Sequence, residues 1–417
     1  MKKGFIYYAT VLTPFLLIIN LGLGSQADPF TIAGFPLNQV VNWLVILGAA
    51  IVVMNTYRTS LWPVIIVTGV IFSKLVSLVL GNPFYVVIFY KIFLLALFFA
   101  VGVIYIYRYL DLVYKTVLII CLFNVIMMIL QLSNAGDWTQ FLSTGSGFKY
   151  GEKITYDTLF IPLDQLQYSV IQGRPSGFLR SNIVLSGVLL FALALHFSRD
   201  KNRLKWGTIT LCAMIVLASA RIVYVGYFLM CLLLLFKGNR VQRKAVLYSV
   251  VTIMLVLMVY SYFFPGLFQR YWTYEILFSS FFVRINDIIS QFDTESTIRI
   301  FLEKLFRFIP HININEGDPK SGYTVLVRYL PYLIPLLLIL LPYYVKRLRR
   351  QSSIFPHLTW VTILCLLIFL LYPAAFPIFR DQFYWMVGGF ALSPLFILLP
   401  PHYFKKAGQS KKVSPIV

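Results

Sequence analysis

Apolar runs of about twenty residues recur along the chain, and many of the short connections between them carry lysine or arginine. The run "FYVVIFYKIFLLALFFAVGVIYI" (84–106) holds a single charged residue, Lys91. In hydrocarbon every backbone N–H and C=O must be satisfied within the segment, so such a run forms a helix. Composition extends the conclusion to the whole chain. Of its 417 residues 59% are hydrophobic and 12% charged, against roughly a quarter charged in soluble domains. A soluble fold has too little interior to hide that much apolar surface. The chain reads as all-α, a polytopic transmembrane helical bundle.

Apolar runs long enough to cross fall at 5–23, 38–55, 60–80, 84–106, 113–133, 179–198, 206–220, 222–236, 245–264, 325–345, 358–376 and 382–400. About twelve spans result, with both termini on one side. Five regions follow: helices over 1–133, an outer loop over 134–178, helices over 179–264, a second outer loop over 265–324, and helices with a basic tail over 325–417.

The ambiguous stretch is 206–236, "WGTITLCAMIVLASARIVYVGYFLMCLLLLF", flanked by basic clusters. At about 1.5 Å per residue it is long for one crossing and short for two. Charge decides. If it folds back on itself, Lys2, Lys3, Arg58, Arg108, Lys115, "SRDKNRLK", "KGNRVQRK", "KRLRRQ" and "KKAGQSKK" all face one side. Those loops hold 21 of the 36 Lys and Arg residues against only Asp111 and Asp200. The positive-inside rule then makes that side the cytoplasm. The +21 net charge reports orientation and contact with anionic membrane lipids, and no basic-aromatic module for nucleic acid accompanies it. The turn near Ser219, Ala220 and Arg221 must then lie below the outer surface, where an arginine costs about 2.5–3.5 kcal/mol without a partner or water.

The first run follows Lys2 and Lys3 and imitates a secretory signal, but is longer than a signal's apolar region of roughly 7–15 residues, so it reads as a retained anchor. The four cysteines lie singly in apolar runs and read as small core residues. No His, Asp or Glu cluster has metal-ligand spacing, and no cofactor is implied.

On the outer side cations gather. Arg174, Gly177 and Arg180 stand in "IQGRPSGFLRSNIVLSGVLL" (171–190). Arg221 tops the short hairpin. Arg299 and Arg307 share one stripe of "STIRIFLEKLFRF" (296–308), opposite Ile298, Phe301, Leu302 and Leu305, the pattern of a helix lying in the interface. "WTYEILFSSFFVRINDIISQF" (272–292) reads as another. Arg328 begins the tenth span; Lys74 and Lys91 sit within the outer parts of the third and fourth. Snorkelling accounts for some of these. Guanidinium groups also match phosphate bidentately and keep their charge when partly desolvated. Gathered at head-group depth, they suit a pyrophosphate, which glycine allows the backbone to approach.

"RPSGFLRSNIVLSGVLL" followed by "LASARIVYVGYFLMCLLLLF" and "STIRIFLEKLF" resembles the O-antigen polymerase and ligase family of bacterial envelope glycosyltransferases, over roughly residues 170–345. The resemblance implies a GT-C-like architecture in the bacterial inner membrane. It implies metal-independent transfer of a glycan from an undecaprenyl-pyrophosphate-linked oligosaccharide to an acceptor sugar at the periplasmic face. It assigns Arg174, Arg221 and Arg299 to the leaving pyrophosphate, with Arg180 and Arg328 second in rank, and admits a chain-length regulator as partner; Gly177, Arg307, Lys74 and Lys91 are further candidate contacts from their placement alone. Ligases carry a histidine near the end of the second loop. Here "GDPKSGYTVLVRYL" has none, and the nearest is His311 in "FIPHININEG". His311 suits a general base; Glu275, Asp287, Glu316 and Asp318 are alternatives. The absence favours polymerase over ligase. A lipid-linked oligosaccharide flippase is the alternative of another class, but this chain shows no internal repeat of the kind common in transporters, and its helix-borne charges crowd one side.

Overall fold

The structure is a computed structural model describing residues 3–22, 31–32, 35–57, 60–80, 84–132, 177, 179, 182–199, 205–218, 220–265, 340–353, 355–371 and 382–396. Apart from a two-residue antiparallel ladder, β1 (Thr31–Ile32) with β2 (Phe35–Pro36), the regular structure is helical. The helices are α1 (Lys3–Gly22), α2 (Leu37–Thr56), α3 (Trp62–Leu80), α4 (Phe84–Arg108), α5 (Leu110–Leu132), α6 (Asn182–Phe197), α7 (Lys205–Ala218), α8 (Arg221–Lys237), α9 (Arg240–Phe263), α10 (340–353), α11 (Pro356–Leu371) and α12 (Gln382–Leu392). A 3₁₀ turn, Ser393–Phe396, prolongs the last.

The protein is a membrane protein. Among the described residues, Gln39–Thr56, Phe89–Arg108, Leu110–Leu130 and Arg240–Phe263 are long and apolar enough to cross a bilayer. Shorter apolar helices include Val184–Phe197, Lys205–Ala218, Ile222–Lys237 and His357–Leu371. The ambiguous stretch is broken where its length demanded: α7 stops at Ala218, Ala220 is extended (φ −99, ψ 119), and α8 begins at Arg221. The Cys212 thiol meets the Ser249 carbonyl oxygen at 3.5 Å, and the Ser249 hydroxyl meets the Tyr227 hydroxyl at 2.7 Å. Residues 212 and 227 therefore share a level, and α7 and α8 run in opposite directions from it.

Helix α6 is the axis of the bundle. Residues 184–198 are all buried, the mark of a helix enclosed on every side rather than one presenting a stripe. It packs against α5, α7, α8 and α11. The Phe191 ring meets Phe383 and Phe390 of α12 edge-on, at 5.5 and 5.1 Å between centroids. By contrast α9 leaves Leu247, Met254, Leu255, Met258 and Val259 exposed, an apolar surface suited to lipid.

A second group joins α1 with α2, α3 with α4, and α4 with α12. Helices α4 and α12 touch through backbone: a Cβ added at Gly389 would lie 2.9 Å from the Gly102 Cα, and one at Gly102 would lie 3.0 Å from the Gly389 Cα. Without a hydrophobic drive between helices in lipid, such small-residue contacts carry the packing.

Side-chain hydrogen bonds tie helix ends together. Tyr107 donates to the Ser393 carbonyl at 3.4 Å, Tyr344 to Ala391 at 2.9 Å, and Gln351 to the Thr362 hydroxyl at 3.2 Å. Burial pushes the Tyr57 phenol up, while the nearby Arg108 guanidinium pulls it the other way. Arg199 pairs with Asp111 at 2.6 Å. At the opposite end Gln382 of α12 donates to Asn42 of α2 at 3.0 Å. The ends bearing Arg108, Arg199, Lys205 and the 346–350 cluster thus lie together, and α10 continues as helix through that cluster to residue 353. Lysine and arginine are good helix formers, so the helix continues through the basic stretch past 345, where the apolar run ends.

Candidate functional site

Three helices are pinned at the basic end by one imidazole. His196 of α6 is buried; its Nδ1 lies 2.8 Å from the Tyr114 hydroxyl of α5 and its Nε2 lies 2.9 Å from the Thr208 hydroxyl of α7. Both partners are hydroxyls, able to donate or accept, so either neutral tautomer is satisfied. The pin fixes levels throughout the bundle. Asn124, Ser186 and Ala218 each stand ten residues from their pinned neighbours, toward the same end. At 1.5 Å per residue all three fall in one layer about 15 Å away.

That layer is polar inside an apolar bundle. Asn124 and Ser186 are both 0% exposed, and intramembrane polar residues are retained where they bind or position something. The Asn124 amide also points toward the Met128 sulfur at 3.4 Å. Gly177 rests directly on Asn124: a Cβ added there would collide with the carboxamide, and its φ of +65 is one that side chains rarely adopt. Glycine is required at this point on both counts. Gly177 therefore belongs to the Asn124 layer, well below the end of α5 at Leu132.

The α7–α8 turn reaches the same layer. Gly226 of α8 lies against Leu190 of α6 with no room for a Cβ, which puts Arg221, five residues earlier, near the level of Ser186. Helix α5 runs eight residues beyond Asn124, so the turn lies about 12 Å short of that helix's end. It is recessed, as the length of 206–236 requires. No side chain caps α8 at Ala220, so the electropositive end of the helix and Arg221 share one location.

Gly177 and Arg221 are thus brought to one layer as backbone positions; the Arg221 side chain is not among those described. Lys74 is half-buried in α3 with its Nζ 5.7 Å from the Tyr90 ring centroid, and Lys91 is exposed on α4. Arg174, Arg180, Arg299, Arg307, Arg328 and His311 lie outside the described residues. Sequence reasoning overlooked Asn124, Ser186, Tyr114 and His196. Their signal was present: single polar residues in apolar runs, such as the Asn in "CLFNVIMM". Among the described residues no group of three or more His, Cys, Asp or Glu gathers as for a metal ion.

No family model, no curated protein and no solved structure matches the chain.

Proposed function

We propose that the chain is a glycan polymerase of the bacterial inner membrane. It transfers sugar chains from undecaprenyl pyrophosphate to the acceptor sugar of a lipid-linked repeat unit at the periplasmic face. On this reading the chain crosses twelve times and both termini are cytoplasmic. The observation that supports it best is the recessed layer in which the α7–α8 turn, opened by Arg221, meets the level of Gly177, Asn124 and Ser186. A diphosphate is anionic, and a helix N-terminus and a guanidinium sharing one recess suit it. As the bond from C1 of the donor sugar to the pyrophosphate oxygen breaks, negative charge grows on the leaving group, and cations placed there lower the barrier. The acceptor hydroxyl forms the new bond to C1 and surrenders its proton, for which His311 is the candidate base.

Deleting the gene and profiling surface polysaccharide on a gel tests this. Loss of the ladder with retention of a single-repeat band, restored by wild type but not by Arg221→Ala, is the expected result. Full-length polymer left on the lipid carrier would point to a ligase. Single repeats trapped on the cytoplasmic side would point to a flippase. Ladders of wild-type form in the deletion strain would remove the reading altogether.

A further inference from the structure

The polar cluster at the basic end lies far from the recessed layer, yet it sets that layer's geometry. His196 is tied to α5 and α7 at once. At Gly207, beside Thr208, an added Cβ would lie 3.0 Å from the Leu118 side chain of α5 and 3.6 Å from the His196 ring, so α5, α6 and α7 approach one another closely at this junction. Arg199, just past α6, lays its guanidinium 4.4 Å from the Tyr114 ring centroid and pairs with Asp111 at the start of α5. Helices α5 and α6 are thus joined a second time.

Nothing comparable in strength is required for packing alone. Apolar side chains would fill this junction without burying polar atoms in an apolar bundle, a costly substitution unless direction is needed. What hydrogen bonds add is a defined register: a helix sliding along apolar neighbours loses little, whereas one sliding here breaks two bonds.

We propose that His196 is a positioning residue, holding α5, α6 and α7 in the register that brings the α7–α8 turn level with Asn124 and Gly177. The inference deepens the polymerase reading and rests on it for the functional consequence, though not for the register itself. His196 touches no substrate; it acts through the rise of α7.

The test uses the full-length protein with spin labels at Ile129 of α5 and Val225 of α8, both exposed. In His196→Leu the mean interlabel distance is expected to move by about 1–2 Å, a usual helix displacement. Polymerisation should fall on the order of a hundredfold, as small misplacements of reacting groups can cost. Glutamine can reach the place of Nε2 and so keep the bond to Thr208, so His196→Gln should recover part of both the distance and the ladder. Thr208→Val, which removes one bond and keeps the shape, should fall between them and covers the case in which the leucine variant does not fold. An unmoved distance in both Leu and Val variants, with activity lost only in proportion to folded protein, would overturn the proposal. A moved distance with full activity would also overturn the positioning role. If the distance moves as expected while the deletion strain still makes a ladder of wild-type form, the register tie stands and the polymerase reading falls.

Discussion

Gly177 occupies a position where its neighbour Asn124, 53 residues earlier in the chain, leaves no space for a methyl group. A loop residue and an intramembrane helix residue are thereby locked together, and Gly177 is held inside the bundle rather than above it.

Gly177→Ala is therefore expected to be severe. The left-handed backbone alone costs about 1–2 kcal/mol, and the collision with the carboxamide adds to it. Asn124→Ala opens the space, so the double variant should lose less than the sum of the single ones. Thermal unfolding in detergent, read by intrinsic fluorescence across this double-mutant cycle, measures the coupling; strict additivity would separate the two residues.

Gly102 and Gly389 should behave as a second locked pair. Val at either position inserts carbon between two backbones in contact, and overpacking of this kind costs typically 1–3 kcal/mol. The expected result is a lower unfolding midpoint and early separation of α12 from α4. Crosslinking between cysteines placed on those two helices reads it directly.

At the start of α9, Asn239 accepts the Gln242 N–H at 2.8 Å and Gln242 accepts the Asn239 N–H at 3.0 Å. Asn239→Ala removes one arm of this capping box and should cost about 1 kcal/mol. Asn239→Ser should recover most of it. Hydrogen exchange in the first turn of α9, rather than global melting, is the sensitive readout.

The Arg199–Asp111 pair should matter little to stability by itself. The Asp111 side chain is 75% exposed, and exposed pairs contribute about 0.2–1 kcal/mol. Asp111→Asn should leave the unfolding midpoint within experimental scatter, and a large loss would mean that Arg199 is held chiefly by that carboxylate.

Arg221→Lys offers a finer probe of the proposed chemistry than alanine. Lysine keeps the charge but lacks the planar fork. If a diphosphate is gripped bidentately, the lysine variant should still fall well short of wild type in ladder length. Full recovery by lysine would show that charge alone suffices.

Much of the fold is legible in the sequence because the bilayer imposes length and charge rules on every segment. The break at 218–221 follows from the number of residues between two basic loops, and the structure places it there. The pairing of α4 with α12 does not follow. Gly102 and Gly389 are ordinary glycines in apolar runs, and nothing local marks them as partners. Asn124 and His196 were visible as polar interruptions, but their depth emerges only when Tyr114 and Thr208 fix a common level. Lys74 drew attention as an intramembrane charge, yet its described contact is the face of Tyr90.

Helix α6 has no side of its own that faces lipid, yet the chain is made from one end, and α6 leaves the ribosome before α11 and α12 exist. For that interval its future interior must border acyl chains, which an apolar surface accepts without penalty. Its polar residues do not: Ser186 and His196 need hydroxyl or amide company from the outset. The Tyr114 hydroxyl of α5, already in place by then, meets the His196 ring at 2.8 Å, so the earliest-made neighbour is also one that makes the waiting helix tolerable.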